Sequence, residues 1–250
     1  MECKNCSQGF DGRFCPACGQ KVIAGRITVR SLFVNLFTTI TNLEKGFWHT
    51  MVRLFTRPDQ VIRDFLGGST IRYVDPFRYL FLWSSISALI TLSFNLLEFQ
   101  SDEMVKIGAL KIQQTGKGAN TAEVMAWVKR FLNIVPFLII PFLALAGQWI
   151  FRRLKYNYAE HLAINGFLFG QVTLINLIAL PVIFISPVFV LIYSGFSTLS
   201  NFVYYGYAFR KLGSYSVLGV VWRSLALYIA SNALMAAIAM IISMIIIALL

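Results

Sequence analysis

Four cysteines at the start of the chain have the type and spacing of metal ligands. Cys3 and Cys6 form one Cys-x-x-Cys pair, eight residues follow, and Cys15 and Cys18 form a second pair. In each pair two thiolates can bind one ion while backbone amides after the first cysteine point back at the sulfurs. Two pairs supply the tetrahedral all-thiolate set that Zn²⁺ accepts in closed structural sites. The spacing predicts a zinc ribbon over residues 1–21.

Two disulfides or a redox-active pair are the alternatives for the same cysteines. Zinc is favoured because so short a head has almost no hydrophobic core and needs a metal to fold. Four thiolates leave no coordination position for water, so catalysis at this metal is not expected. Elsewhere the sequence has no nucleophile elbow, zinc-protease helix, P-loop or dinucleotide motif in a usable context. We therefore predict that the protein is not an enzyme.

Few other residues could do chemistry. Glu160 and His161 stand next to each other beside a predicted membrane span, where they would form an interfacial ion pair or a proton or ligand switch. His49 is a lone histidine, expected to be packed or to lie at a lipid headgroup. Several amides fall inside apolar stretches and are expected to hydrogen-bond between helices or to line a substrate path: Asn133, Gln148, Gln171, Asn176, Asn201 and Asn232.

The composition indicates an integral membrane protein. Of 250 residues 57% are hydrophobic and 13% are charged, about half of the usual ~25% in soluble domains. No Asp or Glu follows His161. The net charge of +11 fits cytoplasmic loops beside anionic lipid better than it fits nucleic-acid binding. The ribbon itself has too few cations, Lys4, Arg13 and Lys21, for a strong phosphate footprint.

Residues 26–75 are predicted to form amphipathic juxtamembrane helices. Apolar residues recur at helical spacing from Val29 to Leu43, then over 47–55, and then from Pro58 to the Gly67-Gly68 pair. Several arginines are spread through this region. The helices either pack against the spans with solvated charges or lie at the bilayer interface with their cations at lipid phosphates.

This region resembles an uncharacterised bacterial family, the domain-of-unknown-function family numbered 3667. The matching residues are Leu43-Glu44-Lys45-Gly46-Phe47, Thr50, Leu54-Phe55-Thr56-Arg57-Pro58, Ile62-Arg63-Asp64-Phe65 and Tyr73-Val74-Asp75-Pro76. Members also begin with a four-cysteine ribbon, as Phe14-Cys15-Pro16-Ala17-Cys18-Gly19-Gln20 does here. Where the family has Gly-Lys-Arg, this chain has Gly68-Ser69-Thr70. The resemblance implies an integral membrane protein without a known activity; a fainter likeness is to Yip-type membrane proteins.

Residues 76–250 are predicted to form a transmembrane helical domain. A span needs roughly 20 apolar residues, because the hydrocarbon core is ~30 Å thick. The apolar stretches predict an all-α integral membrane protein with about five spans: 77–97, 131–151, 166–185, 188–209 and 224–250.

The basic residues predict the orientation of these spans. Arg152, Arg153, Lys155, Arg210 and Lys211 lie in the connections after the second and fourth spans. Since cytoplasmic connections are enriched in Lys and Arg, the N-terminus is expected inside and the C-terminus outside a cell (inner) membrane.

These patterns leave three functions open. The first is a non-enzymatic scaffold or adaptor, whose cytoplasmic zinc ribbon recruits a protein partner or stabilises the assembly and whose spans hold it in the bilayer. The alternative is a transporter or lipid-handling protein that uses Asn and Gln between its spans, although the absence of intramembrane carboxylates argues against ion coupling. A membrane-tethered nucleic-acid binder is the third and least favoured.

Overall fold

We describe a computed structural model of the chain over residues 1–21, 28–29, 46–108, 129–132 and 134–249, the side chains after 230 only in part. The described residues are helical apart from the ribbon and the connections, with isolated β-bridges in place of strands. The predicted helix from Val29 to Leu43 lies outside the described residues except for Val29 itself.

The ribbon consists of two knuckles with the same backbone pattern, twelve residues apart. The Cys3 amide donates to the Gln8 carbonyl at 3.0 Å, and the Cys15 amide donates to the Gln20 carbonyl at 2.9 Å. Each knuckle has one residue in the left-handed region, Ser7 with φ of 59° and Gly19 with φ of 72°. At Gly19 this conformation suits a residue without a Cβ.

Two short helices follow, α1 (Phe47–Thr56) and α2 (Pro58–Leu66), as predicted. Their inner faces bury Leu54, Val61, Ile62 and Phe65 in the same core as the long helices. On the outer face of α1, Trp48, Val52 and Phe55 are exposed at spacings of four and three residues. The helices therefore pack against the body, while the outer apolar stripe is the kind of surface that enters a bilayer interface.

Helix α3 (Pro76–Ser93) begins at the N-cap Asp75, whose carboxylate accepts from the Phe77 amide at 2.9 Å. It ends earlier than the predicted span 77–97. Asn95 has a left-handed φ of 46°, and α4 (Leu96–Lys106) leaves at 61° to α3. The bent pair is either one broken span or a re-entrant segment.

Four further helices complete the body: α5 (Val135–Ile150), α6 (Tyr158–Ala179), α7 (Pro187–Gly213) and α8 (Val217–Leu249). Short 3₁₀ turns follow α5 and α6 at Arg152–Leu154 and Leu180–Phe184. Helix α6 begins eight residues before the predicted span 166–185, because Asn157 and Glu160 form a capping box there. The turn predicted at Ser186 is present.

Helices α3 and α6 form the centre of the body and run in the same direction. A methyl group added at Gly166 would lie 3.1 Å from Pro76 Cβ, and one added at Gly170 would lie 2.8 Å from Tyr79 Cδ1. The spacing of these glycines is the small-xxx-small pattern that lets membrane helices approach closely. This small-xxx-small motif is visible in the sequence, but the predictions above do not include it.

The chain is a membrane protein by the length and apolarity of its helices. Tyr158–Phe184 and Pro187–Gly213 are long and apolar enough to cross a bilayer, and the bent pair α3–α4 would be a third span. Large apolar side chains such as Trp149, 78% exposed, face outward. Five spans are not confirmed: α5 has 16 residues, or about 24 Å of helix against a ~30 Å core, and the part of α8 with fully described side chains, Val217–Ala230, is shorter still.

Candidate metal centre and its seat

The four cysteine sulfurs meet at one point between the two knuckles. Their Sγ atoms all lie within 4.8 Å of one another, and the Cys3–Cys18 and Cys6–Cys15 separations are both 3.6 Å. With metal–sulfur bonds of ~2.3 Å, a tetrahedral site has sulfur–sulfur edges of roughly 3.8 Å. All four thiols are free of disulfides. The cluster can therefore hold one tetrahedral metal ion, and the residues are those predicted.

The protein around the cluster favours negative charge on some sulfurs and opposes it on others. The side chain of Asn5 and the backbone amide of Gln20 lower the pKa of Cys18 to about 6. At Cys6 the largest effect, a hydrogen bond to the backbone of Gln8, lowers the pKa, but desolvation and the other three thiols outweigh it and raise the pKa to about 12. Four thiolates so close together need a cation among them.

Gln20 fixes the second knuckle to the helical body. Its side-chain nitrogen donates to the Gly68 carbonyl at 2.8 Å and to Thr70 Oγ1 at 3.0 Å. Its side-chain oxygen accepts from the Ile71 amide at 3.1 Å. Only 3% of Gln20 is exposed. Across the same contact, Ser69 Oγ donates to Asn5 Oδ1 at 3.2 Å. We call residues 68–71 the seat of the ribbon.

The seat is held in turn by the helices around it. Tyr73 Oη donates to Asp64 Oδ2 of α2 at 2.8 Å. The Val74 amide donates at 3.0 Å to Thr50 Oγ1 of α1, which itself donates to the Gly46 carbonyl at 2.7 Å. Asp75 then caps α3. The ribbon is thus linked through one short loop to α1, α2 and α3 together.

Side chains far apart in sequence join α1 and α2 to the C-terminal part of α7. Tyr204 and Tyr207 of α7 donate to the carbonyls of Leu54 and Thr56 at 2.9 and 2.7 Å. In the opposite direction, Arg63 Nη2 donates to the carbonyls of Lys211 and Leu212 at 3.0 and 2.9 Å. Carbonyls at helix C-termini lack partners within the helix, and these donors satisfy them.

Glu160 and His161 lie in different settings. The Glu160 carboxylate accepts from the Asn157 amide at 2.7 Å and completes the capping box of α6. His161 is 1% exposed, and neither ring nitrogen has a hydrogen-bond partner among the described residues. Gly147 of α5 makes room for it, since a Cβ there would lie 3.2 Å from Nδ1. The pair is therefore structural in part, and its role as a switch stays a prediction.

The amides predicted to join helices do so in two cases. Tyr79 of α3 donates to Gln171 of α6, and Ser200 of α7 donates to Asn176 of α6 at 2.9 Å. Asn201 instead donates to the Ser197 carbonyl in its own helix at 2.8 Å. Asn133 and the side chain of Asn232 lie outside the described part of the chain. His49 is exposed and its ring centroid lies 5.5 Å from that of Tyr73.

Comparison with known proteins supports the resemblance seen in the sequence. A family model described as protein of unknown function (DUF3667) matches residues 44–88, which comprise α1, α2, the seat and most of α3. No curated protein and no solved structure shows a significant match. The ribbon at residues 1–21 precedes the matched segment. The match at residues 44–88 covers 45 of the 250 residues and supports membership of the family of unknown function DUF3667.

Proposed function

We propose that the protein is a non-enzymatic membrane scaffold or adaptor whose ribbon holds one structural Zn²⁺ and recruits a cytoplasmic protein partner. The observation that carries the proposal is the closed cluster of four thiols on a head that is seated on the helical body. A head fixed in this way presents a surface at a set position above the bilayer. Its metal, with four protein ligands, would shape that surface and perform no reaction.

The first knuckle is the surface offered to a partner. Gln20 of the second knuckle is buried against the seat, whereas its counterpart Gln8 is exposed with Lys4, Cys6 and Ser7, and the first knuckle contacts the seat through Asn5. The charges on the ribbon are mixed, with Glu2 and Asp11 beside its three cations. A protein surface therefore fits this head better than the phosphates of a nucleic acid do.

The distribution of charge supports a cytoplasmic ribbon. The end of the body where α5 and α7 finish and α6 and α8 begin carries Arg152, Arg153, Lys155, Arg210 and Lys211. Arg63 beside the seat contacts that same end. At the opposite end the described basic residues are fewer, with Lys106 on α4 and Lys129 paired with Glu98 of α4. By the positive-inside rule, the ribbon and its seat belong in the cytoplasm of a cell whose inner membrane holds the body.

Five spans remain the proposed topology, with α3, α5, α6, α7 and α8 as the crossings. Helix α5 needs the residues before it, or a locally thinner bilayer, to cross. An odd number of crossings places the C-terminus outside when the N-terminus is inside.

The metal is tested on the full-length protein purified in detergent with no added metal. We expect one zinc per chain by elemental analysis, and loss of zinc in a Cys15→Ser, Cys18→Ser double variant. Another metal at the same stoichiometry would show the site but reject zinc. Four thiols that titrate freely in a sample without metal would reject the site itself.

The scaffold is tested by cross-linking in native membranes followed by purification of the chain. We expect a stoichiometric protein partner that is lost in the Cys15→Ser, Cys18→Ser variant. Lys4→Glu on the exposed first knuckle should lose the partner while it retains zinc. Recovery of the same partner with all of these variants would reject recruitment by the ribbon.

A further inference from the structure

A cavity of about 270 Å³ lies among helices α5, α6, α7 and α8. Its apolar wall is formed by Ile139, Leu143, Phe169, Phe202 and Leu227. Its polar groups come from Ser197, Thr198, Asn201, Tyr205, Ser224 and Tyr228. The metal ribbon has no part in this cavity, and the proposed scaffold function does not depend on it.

One of these polar groups, Asn201, lies near the middle of a candidate span. Asn201 is about 21 Å along the axis of α7 from its first residue and about 18 Å from its last, at ~1.5 Å per residue. Polar side chains at this depth in hydrocarbon are costly unless a partner meets them. Among the described residues Asn201 has one such partner, the Ser197 carbonyl at 2.8 Å, and its second N–H and its carbonyl oxygen have none there.

Two hydroxyl groups in the cavity wall strengthen this point. Tyr205 and Ser224 are 7% and 2% exposed, and neither hydroxyl has a hydrogen-bond partner among the described residues. Ser224 stands where α8 crosses α7, since a Cβ on Gly206 would lie 3.3 Å from its Oγ. Buried hydroxyls are almost always paired in proteins, so two unpaired ones beside a cavity indicate a missing partner.

The chemistry of the wall limits what that partner can be. None of the residues that line the cavity is charged. A carboxylate, phosphate or ammonium group there would lie in a low-dielectric site without a counter-ion, which strongly disfavours binding. Hydroxyl and amide groups instead match a neutral group that both donates and accepts hydrogen bonds.

The surroundings of the cavity point to the bilayer as the source. Thr198, Phe202 and Tyr228 also line a shallow groove that continues along Ser194, Leu199 and Leu225 on the outside of α7 and α8. The cavity holds on the order of nine non-hydrogen atoms, at ~30 Å³ each. It fits the polar end of an amphiphile whose apolar chain runs along the groove.

We propose that this cavity binds an uncharged, hydroxyl-bearing lipid that enters from the bilayer between α7 and α8. Asn201, Tyr205 and Ser224 would hydrogen-bond its hydroxyl or carbonyl groups, and the apolar wall would hold the start of its chain.

The test uses the full-length protein in phosphatidylcholine nanodiscs with a monoacylglycerol probe that carries a photoactivatable diazirine. After irradiation, mass spectrometry maps the labelled residues. We expect labels on the segments of α7 and α8 that line the cavity, competed by unlabelled monoacylglycerol. Asn201→Leu, which removes the amide at nearly constant volume, should reduce this labelling at least fivefold. A diazirine fatty acid, charged at pH 8, should label the cavity far less.

A matched pair of variants separates filling the cavity from disturbing the helix. Thr198→Phe places a ring at the cavity, whereas Val203→Phe places one on the exposed side of the same helix. We expect Thr198→Phe to abolish cavity labelling and Val203→Phe to leave it unchanged, both with unchanged size-exclusion profiles. Equal labelling in the two variants, equal labelling by the charged probe, or no cavity labelling of the wild type would each overturn the proposal. The last result would mean that the cavity holds water only.

Discussion

The side-chain nitrogen of Gln20 donates a hydrogen bond to the Gly68 carbonyl at 2.8 Å and joins the ribbon to the helical body. The equivalent residue of the other knuckle, Gln8, is exposed. Two residues with the same place in two equivalent knuckles thus have opposite environments. The difference gives a matched pair for measuring what the seat contributes.

We expect Gln20→Ala to loosen the ribbon and Gln8→Ala to have no effect. Loss of Gln20 removes one of the two hydrogen bonds to the Gly68 carbonyl, which also accepts from the Thr70 amide, and it removes the acceptor of the Ile71 amide. Each lost hydrogen bond costs about 1 kcal/mol. Limited proteolysis between residues 21 and 46 should become faster in Gln20→Ala only, at unchanged metal content. Equal cleavage of the two variants would contradict the role of the seat.

Gly170→Ala should destabilise the contact between α3 and α6. The added methyl group would lie 2.8 Å from Tyr79 Cδ1 and 3.2 Å from Leu80 Cα, too close without a shift of the backbone. Overpacking of this kind costs about 1–3 kcal/mol. Gly195→Ala on α7 is the control, because nothing lies within 4 Å of its added methyl group. Thermal unfolding in detergent should show a lower midpoint for Gly170→Ala alone; equal midpoints would count against the close approach.

Arg63→Met should weaken the attachment of α2 to the end of α7. The variant keeps an unbranched side chain but removes the donors to the Lys211 and Leu212 carbonyls. Arg63 is exposed, so water replaces part of the loss and we expect about 1 kcal/mol. Arg57→Met, at an exposed arginine nearby, should change the unfolding midpoint much less. A comparable loss in both would assign the effect to net charge.

Ionisation of the Asp75 carboxyl should lower the free energy of unfolding as pH rises from about 4 to 6. Desolvation raises the pKa of Asp75 to about 6, against the opposing effects of the Phe77 and Arg78 amides and the Arg78 charge. Because the pKa in the folded protein lies above the unfolded value of ~3.9, the folded protein binds more protons in this window. The stabilisation that this proton gives is therefore lost as pH rises. Asp75→Asn keeps the N-cap oxygen and should remove this dependence, worth on the order of 3 kcal/mol. The measurement is unfolding across pH 4–8, and an unchanged slope in the variant would disprove the assignment.

A reporter active only in the cytoplasm should work at the N-terminus and fail after Leu250. The reason is the cluster of Lys and Arg at the ribbon end of the body. An even number of crossings would instead make both fusions active. Activity only at the C-terminus would reverse the orientation.

The parts of the structure that could be predicted are those with local causes. Cysteine spacing identifies the ribbon, and Pro58 with its apolar repeat identifies α2. The apolar stretch predicts a span from 166, whereas the Asn157–Glu160 capping box is a sequence signal for the helix start at 158. The polar Glu160-His161 pair favours a membrane boundary between these residues and the span at 166. Both side chains are nevertheless buried inside the body.

The parts that could not be predicted depend on partners distant in sequence. The hydrogen bond from Tyr204 to Leu54 joins residues 150 positions apart, and no local sequence pattern at either residue predicts it. The bend after Ser93 occurs at Asn95 without a proline or glycine to signal it. The cavity likewise requires four helices to be placed before its residues share a wall.

The shared direction of α3 and α6 restricts how this body can be assembled. Two neighbouring helices that point the same way cannot be arms of a hairpin, so the polypeptide has to make a return passage between them. Helix α5 provides that passage, since Gly147 packs on His161 near the start of α6 whereas Ile139 and Phe169 line the same cavity further along. Deletion of α5 would reverse the direction of α6 relative to α3. Gly166 and Gly170 could then no longer contact Pro76 and Leu80 in the same order along the two helices.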